Sequence, residues 1–193
     1  MVAKRGEEMK ILNLTKQFDK KQIFIGKSFE FEKSKITYIL GESGVGKTTL
    51  LRILAGLDND YSAEILEKPD KISYVFQEPR LFPSMTVSEN ISIVNDSSPY
   101  KIDEILELVE LTNEKNAYPD TLSGGMKMRV ALARAIYNNA DLYLMDEPFS
   151  ALNDELKERI LPKIFDYLKD KTVIIVSHNV DEANAYANTI IKI

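Results

Sequence analysis

The sequence predicts an α/β fold: a mostly parallel sheet with a small antiparallel β lobe and a helical insert. Three observations support this prediction. Strand-like apolar runs alternate with segments of helical spacing, a pattern that favours parallel strands with helices on both faces. A glycine-rich stretch, GESGVGKT, stands between one such strand and a helix, and a short apolar run, LYLM, ends in two acids. In a parallel sheet the carboxyl ends of the strands share one edge, where ligands bind.

The elements follow from the same patterns in chain order. Predicted strands are Lys10–Leu14, Phe29–Phe31, Ile36–Leu40, Ile72–Phe76, Leu142–Met145 and Val173–Val176. Predicted helices are Lys47–Ala55, Val87–Val94, Ile102–Leu111, Ser123–Tyr137, Glu155–Leu168 and Asp181–Ala187. Apolar residues at Ile102, Ile105 and Val109 show the helical spacing used for these assignments. Pro162 would either kink the helix that contains it or mark its early turns.

Composition and charge narrow the class of protein. The chain has 193 residues, a formal net charge of -5 and no cysteine. We expect a single domain over 1–193 with a helical subdomain at about 79–135. The acidic balance argues against nucleic-acid binding, and disulfides and thiolate metal sites are excluded. No apolar run approaches the ~20 residues of a membrane helix, and the N-terminal MVAKRGEEMK lacks the apolar core of a secretory signal. A cytosolic protein that reaches the membrane through a partner is therefore expected.

The stretch from Gly41 to Thr48 fits G-x-x-x-x-G-K-[ST] in the strand-to-helix context that this pattern requires. Its glycines let backbone N–H groups surround a phosphate, and the helix N-terminus adds a favourable dipole. Lys47 would reach the β- and γ-phosphates, and the Thr48 hydroxyl would bind Mg²⁺. A glycine-rich turn with a solvated lysine is the structural alternative, which chance gives in roughly one such chain in a hundred. The residues assigned to this site are Gly41, Glu42, Ser43, Gly44, Val45, Gly46, Lys47, Thr48 and Thr49.

The run Leu142-Tyr143-Leu144-Met145-Asp146-Glu147 has the form of a Walker B strand, because it ends in two acids at the ligand edge of the sheet. Asp146 would hold Mg²⁺ through water. Glu147 would stand where an attacking water is oriented or deprotonated. Taken alone, a solvated acidic turn after a strand explains these acids better. The preceding phosphate loop favours the magnesium interpretation.

A second anion-binding helix start follows Leu122 in the sequence LSGGM. Ser123 is a good N-cap residue, and Gly124 and Gly125 leave backbone N–H groups uncovered. An ordinary capped helix is the alternative if this motif stood alone.

The motifs together resemble those of ABC transporter ATPases over nearly the whole chain. LSGGM resembles the family signature LSGGQ, and RVALARAI at Arg129–Ile136 resembles the family's segment immediately after that signature. The order of Walker A, Gln77, LSGGM, Walker B and His178 is also the family's order. The resemblance implies a P-loop NTPase fold of the ABC ATPase type and hydrolysis of ATP with Mg²⁺.

The resemblance also assigns individual roles. Gln77, in VFQEP, matches the Q-loop glutamine that contacts Mg²⁺ or the water and links to the membrane subunit. Glu147 matches the catalytic base, and His178, in VIIVSH, matches the switch histidine that touches the γ-phosphate. Phe18, in LTKQF, lies where the family has an aromatic that stacks on adenine. Phe24 is the alternative, either for that role or as a core residue.

The partners implied by the resemblance are a second copy of the chain and transmembrane permease subunits on the inner face of the cell membrane. Two copies would pair head to tail, so that Ser123 and Gly125 of one cap the γ-phosphate held by the Walker A loop of the other. The D-loop, Ser150 to Asn153, would cross that interface and bring Asn153 to the nucleotide site.

The chain departs from the family pattern at four residues: Met126, Met128, Asn153 and Asn179. The two methionines replace polar residues, and the two asparagines replace aspartates. We expect hydrolysis to survive, with changes to the dimer seam and to coupling between the two sites. The segment between Gly56 and Ile72 is short and little follows His178, so a reduced antiparallel lobe and no C-terminal regulatory domain are expected.

The predicted function is the ATP-hydrolysing subunit of a transporter. The stretch QEPRLFPSMTVSEN looks most like importers of small anions such as nitrate, sulfonates or taurine. Three alternatives are an exporter or lipid-extraction motor, a soluble ABC ATPase of cluster assembly, DNA repair or translation, and a degenerate subunit that only binds ATP. The set Lys47, Asp146, Glu147 and His178 argues against the degenerate subunit. The lack of a second ATPase half and of a basic face argues against most repair and translation factors.

Overall fold

Two sheets of different kinds organise the chain. The computed structural model describes residues 8–19 and 21–193, so the expectation about the N-terminal leader falls mostly on residues 1–7, outside the described part. The strands are β1 (Met9–Phe18), β2 (Lys21–Phe31), β3 (Ile36–Leu40), β4 (Ser62–Leu66), β5 (Ile72–Val75), β6 (Leu142–Asp146), β7 (Thr172–Ser177) and β8 (Thr189–Lys192). They form an antiparallel sheet of order β2-β1-β4 and a parallel sheet of order β5-β6-β7-β3-β8. The predicted α/β class, with its parallel and antiparallel sheets, is confirmed.

Six α-helices accompany the strands in the described part of the chain. They are α1 (Lys47–Leu54), α2 (Val87–Ser92), α3 (Ile102–Leu108), α4 (Gly124–Tyr137), α5 (Asp154–Leu168) and α6 (Val180–Tyr186), with 3₁₀ turns at Thr112–Glu114 and Pro119–Thr121. Pro162 lies inside α5 and does not end it. Among the described residues, no helix combines the length and the apolar content needed to cross a membrane.

The parallel sheet separates two apolar cores, because side chains alternate between the two faces of each strand. On β7, Val173 and Ile175 face the core built with α2 to α5, whereas Ile174 and Val176 face the core built with α1 and the antiparallel sheet. The strands are buried along almost their whole length, as expected for a parallel sheet covered on both faces. Because both faces of the sheet are packed, each strand is fixed in position along its own axis, and so is the point at which it ends.

Two strands escaped sequence prediction, and one of them changes the description of the β lobe. β4 alternates exposed and half-buried residues and pairs with β1, although it follows α1 in the chain. The prediction that the lobe lies entirely before the phosphate loop is therefore wrong, because β4, which follows that loop, also belongs to it. β8 lies at the edge of the parallel sheet beside β3. Both strands are short and amphipathic, so neither produces a long apolar run.

A buried asparagine fixes the loop that enters the helical region. Asn90 of α2 is fully buried, and its Oδ1 accepts a hydrogen bond from the backbone N–H of Phe82 at 2.8 Å. Its Nδ2 lies within hydrogen-bond distance of the carbonyls of Phe82, Met85 and Thr86, at 3.0, 2.9 and 3.0 Å. The last helix of this region, α4, ends at Tyr137. The division of the chain into a domain and a helical subdomain remains a prediction.

We predict that Asn90→Asp lowers the free energy of unfolding by ~3 kcal/mol or more, because the Met85 carbonyl loses its donor and a carboxyl group is buried against the carbonyls of Phe82, Met85 and Thr86. The matched control is Asn113→Asp, since Asn113 is exposed and the change in charge is the same. Urea unfolding followed by circular dichroism measures both variants. Equal unfolding midpoints for the two variants would contradict the role given to Asn90.

Candidate active site

A cavity of about 490 Å³ opens at the carboxyl edge of the parallel sheet. The loops that follow β3, β5, β6 and β7 reach it, because parallel strands end at one edge. Twelve of the residues proposed from the sequence line it: Phe18, Gly41, Ser43, Gly44, Gly46, Lys47, Thr48, Thr49, Gln77, Asp146, Glu147 and His178. Glu42, Val45, Ser123, Gly124, Gly125 and Asn153 do not line it.

The phosphate loop joins β3 to α1 and requires glycine at Gly46. This residue has φ 112°, and an added Cβ would clash with Ile23 Cγ2 and lie 2.8 Å from Phe24 Cζ. The Lys47 side chain is largely buried, and its Nζ donates to the carbonyls of Gly41 and Glu42 at 2.8 and 2.9 Å. Glu42 thus contributes a carbonyl to the loop rather than a side chain to the cavity.

A carboxylate and a hydroxyl face each other across the cavity floor. Asp146, the last residue of β6, is buried. Burial raises the pKa of Asp146, and the negative charge of Glu147 raises it further. A hydrogen bond with Thr48 and the positive charge of Lys47 act in the opposite direction, and the net pKa is raised. Oxygen donors of this kind suit a hard divalent cation.

The backbone holds Glu147 in an unusual conformation next to His178. Glu147 has φ 49°, in the left-handed region that residues other than glycine rarely adopt. Its N–H donates to the carbonyl of Val176 at 2.9 Å, and its own carbonyl accepts from Ser150 Oγ at 2.9 Å. His178 Nδ1 lies within hydrogen-bond distance of Glu147 Oε1, at 3.0 Å, and the tautomer with hydrogen on Nδ1 donates to that oxygen.

One aromatic ring stands at the cavity wall, and it is Phe18. Its side chain is 47% exposed, whereas Phe24 is buried and packs edge to face against Phe29 at 5.9 Å. Phe24 is therefore a core residue. Beneath the Phe18 ring, Lys16 Nζ lies 4.4 Å from the ring centroid and bonds to Asp58 Oδ1 at 2.9 Å. The Lys16 ammonium group contacts one face of the Phe18 ring by a cation–π interaction, and a flat ligand would stack on the other face.

Sequence reasoning missed several residues at the cavity. Lys16 supports the Phe18 ring, and Lys21 lines the cavity with its Nζ 3.5 Å from the carbonyl of Gly44. Ile23 also lines it, as does Ser150, which the sequence analysis assigned to the D-loop and not to this cavity. The only signal for the two lysines was their closeness to Phe18 in sequence. Their placement depends on the hairpin register, in which Phe18 pairs with Lys21.

The LSGGM segment and the D-loop meet each other outside the cavity. Ser123 caps α4, accepting the N–H of Met126 at 3.3 Å. An added Cβ on Gly125 would lie 2.9 Å from the carbonyl of Ala151, so only glycine allows this approach. Asn153 caps α5 by accepting the N–H of Leu156 at 2.9 Å. Asn153 therefore has a helix-capping role that the sequence reasoning did not assign.

One of the methionine departures has a structural explanation. Met128 is buried in the core beside the helical region, so its apolar side chain belongs to packing inside the chain. Met126 is only partly buried and packs against the same core.

Known sequences that resemble this chain belong to one family. Residues 25–150 match the family model described as ABC transporter. An aliphatic sulfonates import ATP-binding protein of Bacillus cereus is 37% identical over 190 residues, which cover 92% of this chain and 76% of that protein. An Fe(3+) ions import ATP-binding protein of Haemophilus influenzae is 36% identical over 203 residues, which cover 93% of this chain and 58% of that protein.

Solved structures share the fold. A dimeric ATP-binding cassette in a post-hydrolysis state, with ADP and Pi bound, superposes with a TM-score of 0.82 at 27% identity and covers 96% of this chain and 94% of its own. A bacterial Atm1-family ABC exporter with ATP bound gives a TM-score of 0.87 at 24% identity, covering 98% of this chain and 37% of its own, and supports the fold alone.

We predict that Lys47→Ala weakens ATP binding about ten- to a hundred-fold, because a charge-assisted contact of roughly 1.5–3 kcal/mol is lost. Lys101→Ala is the control, since Lys101 carries the same charge and its side chain is 84% exposed on α3's N-cap, far along the sequence from the cavity residues. Isothermal calorimetry measures both affinities. An unchanged ATP affinity in Lys47→Ala would contradict the phosphate-loop interpretation.

Proposed function

This chain belongs to the ABC transporter family as an ATP-binding and ATP-hydrolysing subunit, and we propose that it powers the import of a small organic anion through membrane permease subunits. The observation that carries the catalytic part is the convergence of Lys47, Asp146, Glu147 and His178 on one cavity. The assignment of roles to these residues is part of the proposal.

Mg²⁺ is the metal that the residues present fit best. Thr48 and Asp146 offer a hydroxyl and a carboxylate that share a hydrogen bond, and Gln77 lines the same cavity. The described residues contain no group of three or more acidic, histidine or cysteine side chains placed to hold a metal alone. Mg²⁺ accepts such a sparse set, because it takes one or two protein ligands and completes its shell with phosphates and water. When bound, it would neutralise charge on the β- and γ-phosphates.

Glu147 is the proposed general base. Its carboxylate is largely buried, with 13% of the side chain exposed, and its backbone is held by Val176 and Ser150. It would accept a proton from the water that attacks the γ-phosphate. His178 donates to that carboxylate and is 73% exposed, which leaves the rest of its ring available to the γ-phosphate. The pair thus combines a proton acceptor with a phosphate contact.

The nucleotide would lie with its phosphates in the loop from Gly41 to Thr49 and its adenine on Phe18. The exposed ring and its position on the same cavity wall support this orientation. Lys21, next to the loop carbonyl of Gly44, adds positive charge along the path of the phosphates.

The second phosphate-capping segment belongs to a partner copy in this proposal. Ser123, Gly124 and Gly125 lie outside the cavity of their own chain, and a head-to-tail pair would bring them to the other chain's γ-phosphate. A similar ATP-binding cassette has been solved as a dimer with ADP and Pi. Gly125 against the D-loop carbonyl of Ala151 would couple the two interface segments within each chain.

The transported solute is proposed from the relatives. Several that cover most of this chain at 36–40% identity are named as aliphatic sulfonates import ATP-binding proteins. We therefore propose a sulfonate-like small anion as cargo, permease subunits as partners and the cytoplasmic face of the membrane as location. Neighbouring genes for a permease and a solute-binding protein would support import, and genes for an exporter or for a soluble pathway would contradict it.

We predict that Glu147→Gln slows steady-state phosphate release by 10²–10⁴-fold, because the amide keeps the shape of the side chain but accepts no proton. ATP affinity holds or rises, since Lys47, Thr48 and Asp146 are untouched. His178→Ala also slows turnover, through loss of a γ-phosphate contact. The measurements are phosphate release and equilibrium binding of a fluorescent ATP analogue. Turnover of Glu147→Gln near the wild-type rate would place the base elsewhere.

We also predict that the Glu147→Gln subunit is monomeric without nucleotide and dimeric with ATP, and that Ser123→Asp abolishes the dimer. Aspartate keeps the helix cap but places a negative charge against the phosphate. Ser97→Asp, the same substitution at an exposed serine in the loop between α2 and α3, leaves dimerisation intact. Sedimentation velocity separates the species. A stable dimer without ATP, or a dimer of Ser123→Asp with ATP, is the contrary result.

A further inference from the structure

A shielded ion pair joins α5 to α6. Lys157 Nζ donates to Glu182 Oε1 at 2.7 Å, with only 15% and 9% of the two side chains exposed. Asn179 Nδ2 donates to the same carboxylate oxygen at 3.1 Å. The pair Lys115–Asp103, by contrast, is 40% and 68% exposed. Water screens the α5–α6 ion pair far less than such a surface pair.

Each end of this ion pair is tied to a segment of the active site. On the α6 side, Asn179 directly follows His178, and its Oδ1 accepts the N–H of Glu182 at 3.0 Å. On the α5 side, the N–H of Lys157 donates to the carbonyl of Asn153, the last residue of the D-loop, at 3.0 Å. The ion pair therefore connects the cap of one helix to the cap of the other.

The connection closes into a ring of contacts. From Glu147 the ring passes through the D-loop to Asn153, along α5 to Lys157, across the ion pair to Glu182, and through Asn179 to His178. His178 Nδ1 completes it at 3.0 Å from Glu147 Oε1. The D-loop itself is anchored at its start, where Ser150 Oγ donates to the carbonyl of Glu147. The weakest point of the ring is the exposed His178 side chain, which has no second hydrogen-bond partner within the described part of the chain.

We infer that Lys157 and Glu182 are positioning residues, whose ion pair holds the His178 segment against the D-loop so that His178 stays in register with Glu147. This inference rests on the proposed roles of Glu147 and His178. Without the pair, α5 and α6 remain packed in the apolar core, but the His178 segment loses the polar link through α5 to the end of the D-loop and is held only by the bond between His178 and Glu147. A displacement of about 1 Å at reacting groups can lower a rate by about 10²-fold.

The test compares the intact subunit with Lys157→Met, Glu182→Gln and Lys157→Arg. Methionine keeps the apolar stem, glutamine keeps the shape, and arginine keeps the charge. We expect kcat to fall roughly ten- to a hundred-fold in Lys157→Met and Glu182→Gln, with the ATP dissociation constant changed less than about two-fold. Lys157→Arg restores most of kcat. Lys115→Met, which breaks the exposed pair, leaves kcat unchanged and serves as the control.

A double-mutant cycle separates positioning from simple stabilisation. If Lys157 acts through His178, then Lys157→Met lowers kcat in the wild-type background but adds nothing to His178→Ala. Additive losses in kcat, or losses in ATP affinity that match those in kcat, would overturn the inference. Should Lys157→Met fail to fold, the isosteric Glu182→Gln carries the same cycle.

The proposed function is checked separately by Glu147→Gln in the same assay. An inactive Glu147→Gln beside a fully active Lys157→Met overturns the positioning inference alone. An active Glu147→Gln overturns the proposed base, and with it the reason for positioning His178.

Discussion

The candidate active site depends on the constraint that β3, β5, β6 and β7 run parallel and end at one edge of the sheet. The ends of these strands and the segments that follow them carry the phosphate loop, Gln77, Asp146 with Glu147, and His178. None of these segments is near another in sequence. Because apolar cores on both faces bury the strands, their heights are fixed, and the polar groups at their ends are placed without long loops. A shift of one strand by one residue would also exchange its two buried faces.

Polar contacts refine the coarse placement that the sheet provides. Glu147 is held in a left-handed conformation from both sides of its backbone, and His178 bonds to its carboxylate. The Phe18 ring is supported by Lys16, whose charge is neutralised by Asp58. For Phe18 the supporting lysine is buried, whereas the ring that faces the cavity is 47% exposed.

The fold class and most of the candidate site could be predicted from sequence, because local patterns encode them. The phosphate loop needs glycines in a fixed order, and long apolar runs define β3, β6 and β7. β4 and β8 could not be predicted, since short strands of alternating residues gain their stability from pairing with β1 and β3. The choice between Phe18 and Phe24 also needed the tertiary structure, because it depends on which face of a hairpin is covered. Asn153 and Met128 illustrate the same limit: one caps a helix and the other fills a core, and neither role follows from a departure in a motif.

His178 is the single histidine of the chain, and it is bonded to the proposed base. In an NMR spectrum of this protein, the imidazole proton resonances therefore come from one residue and need no site-specific isotope labelling to be assigned. The molecule carries its own spectroscopic reporter at the place where nucleotide, base and partner copy are proposed to meet.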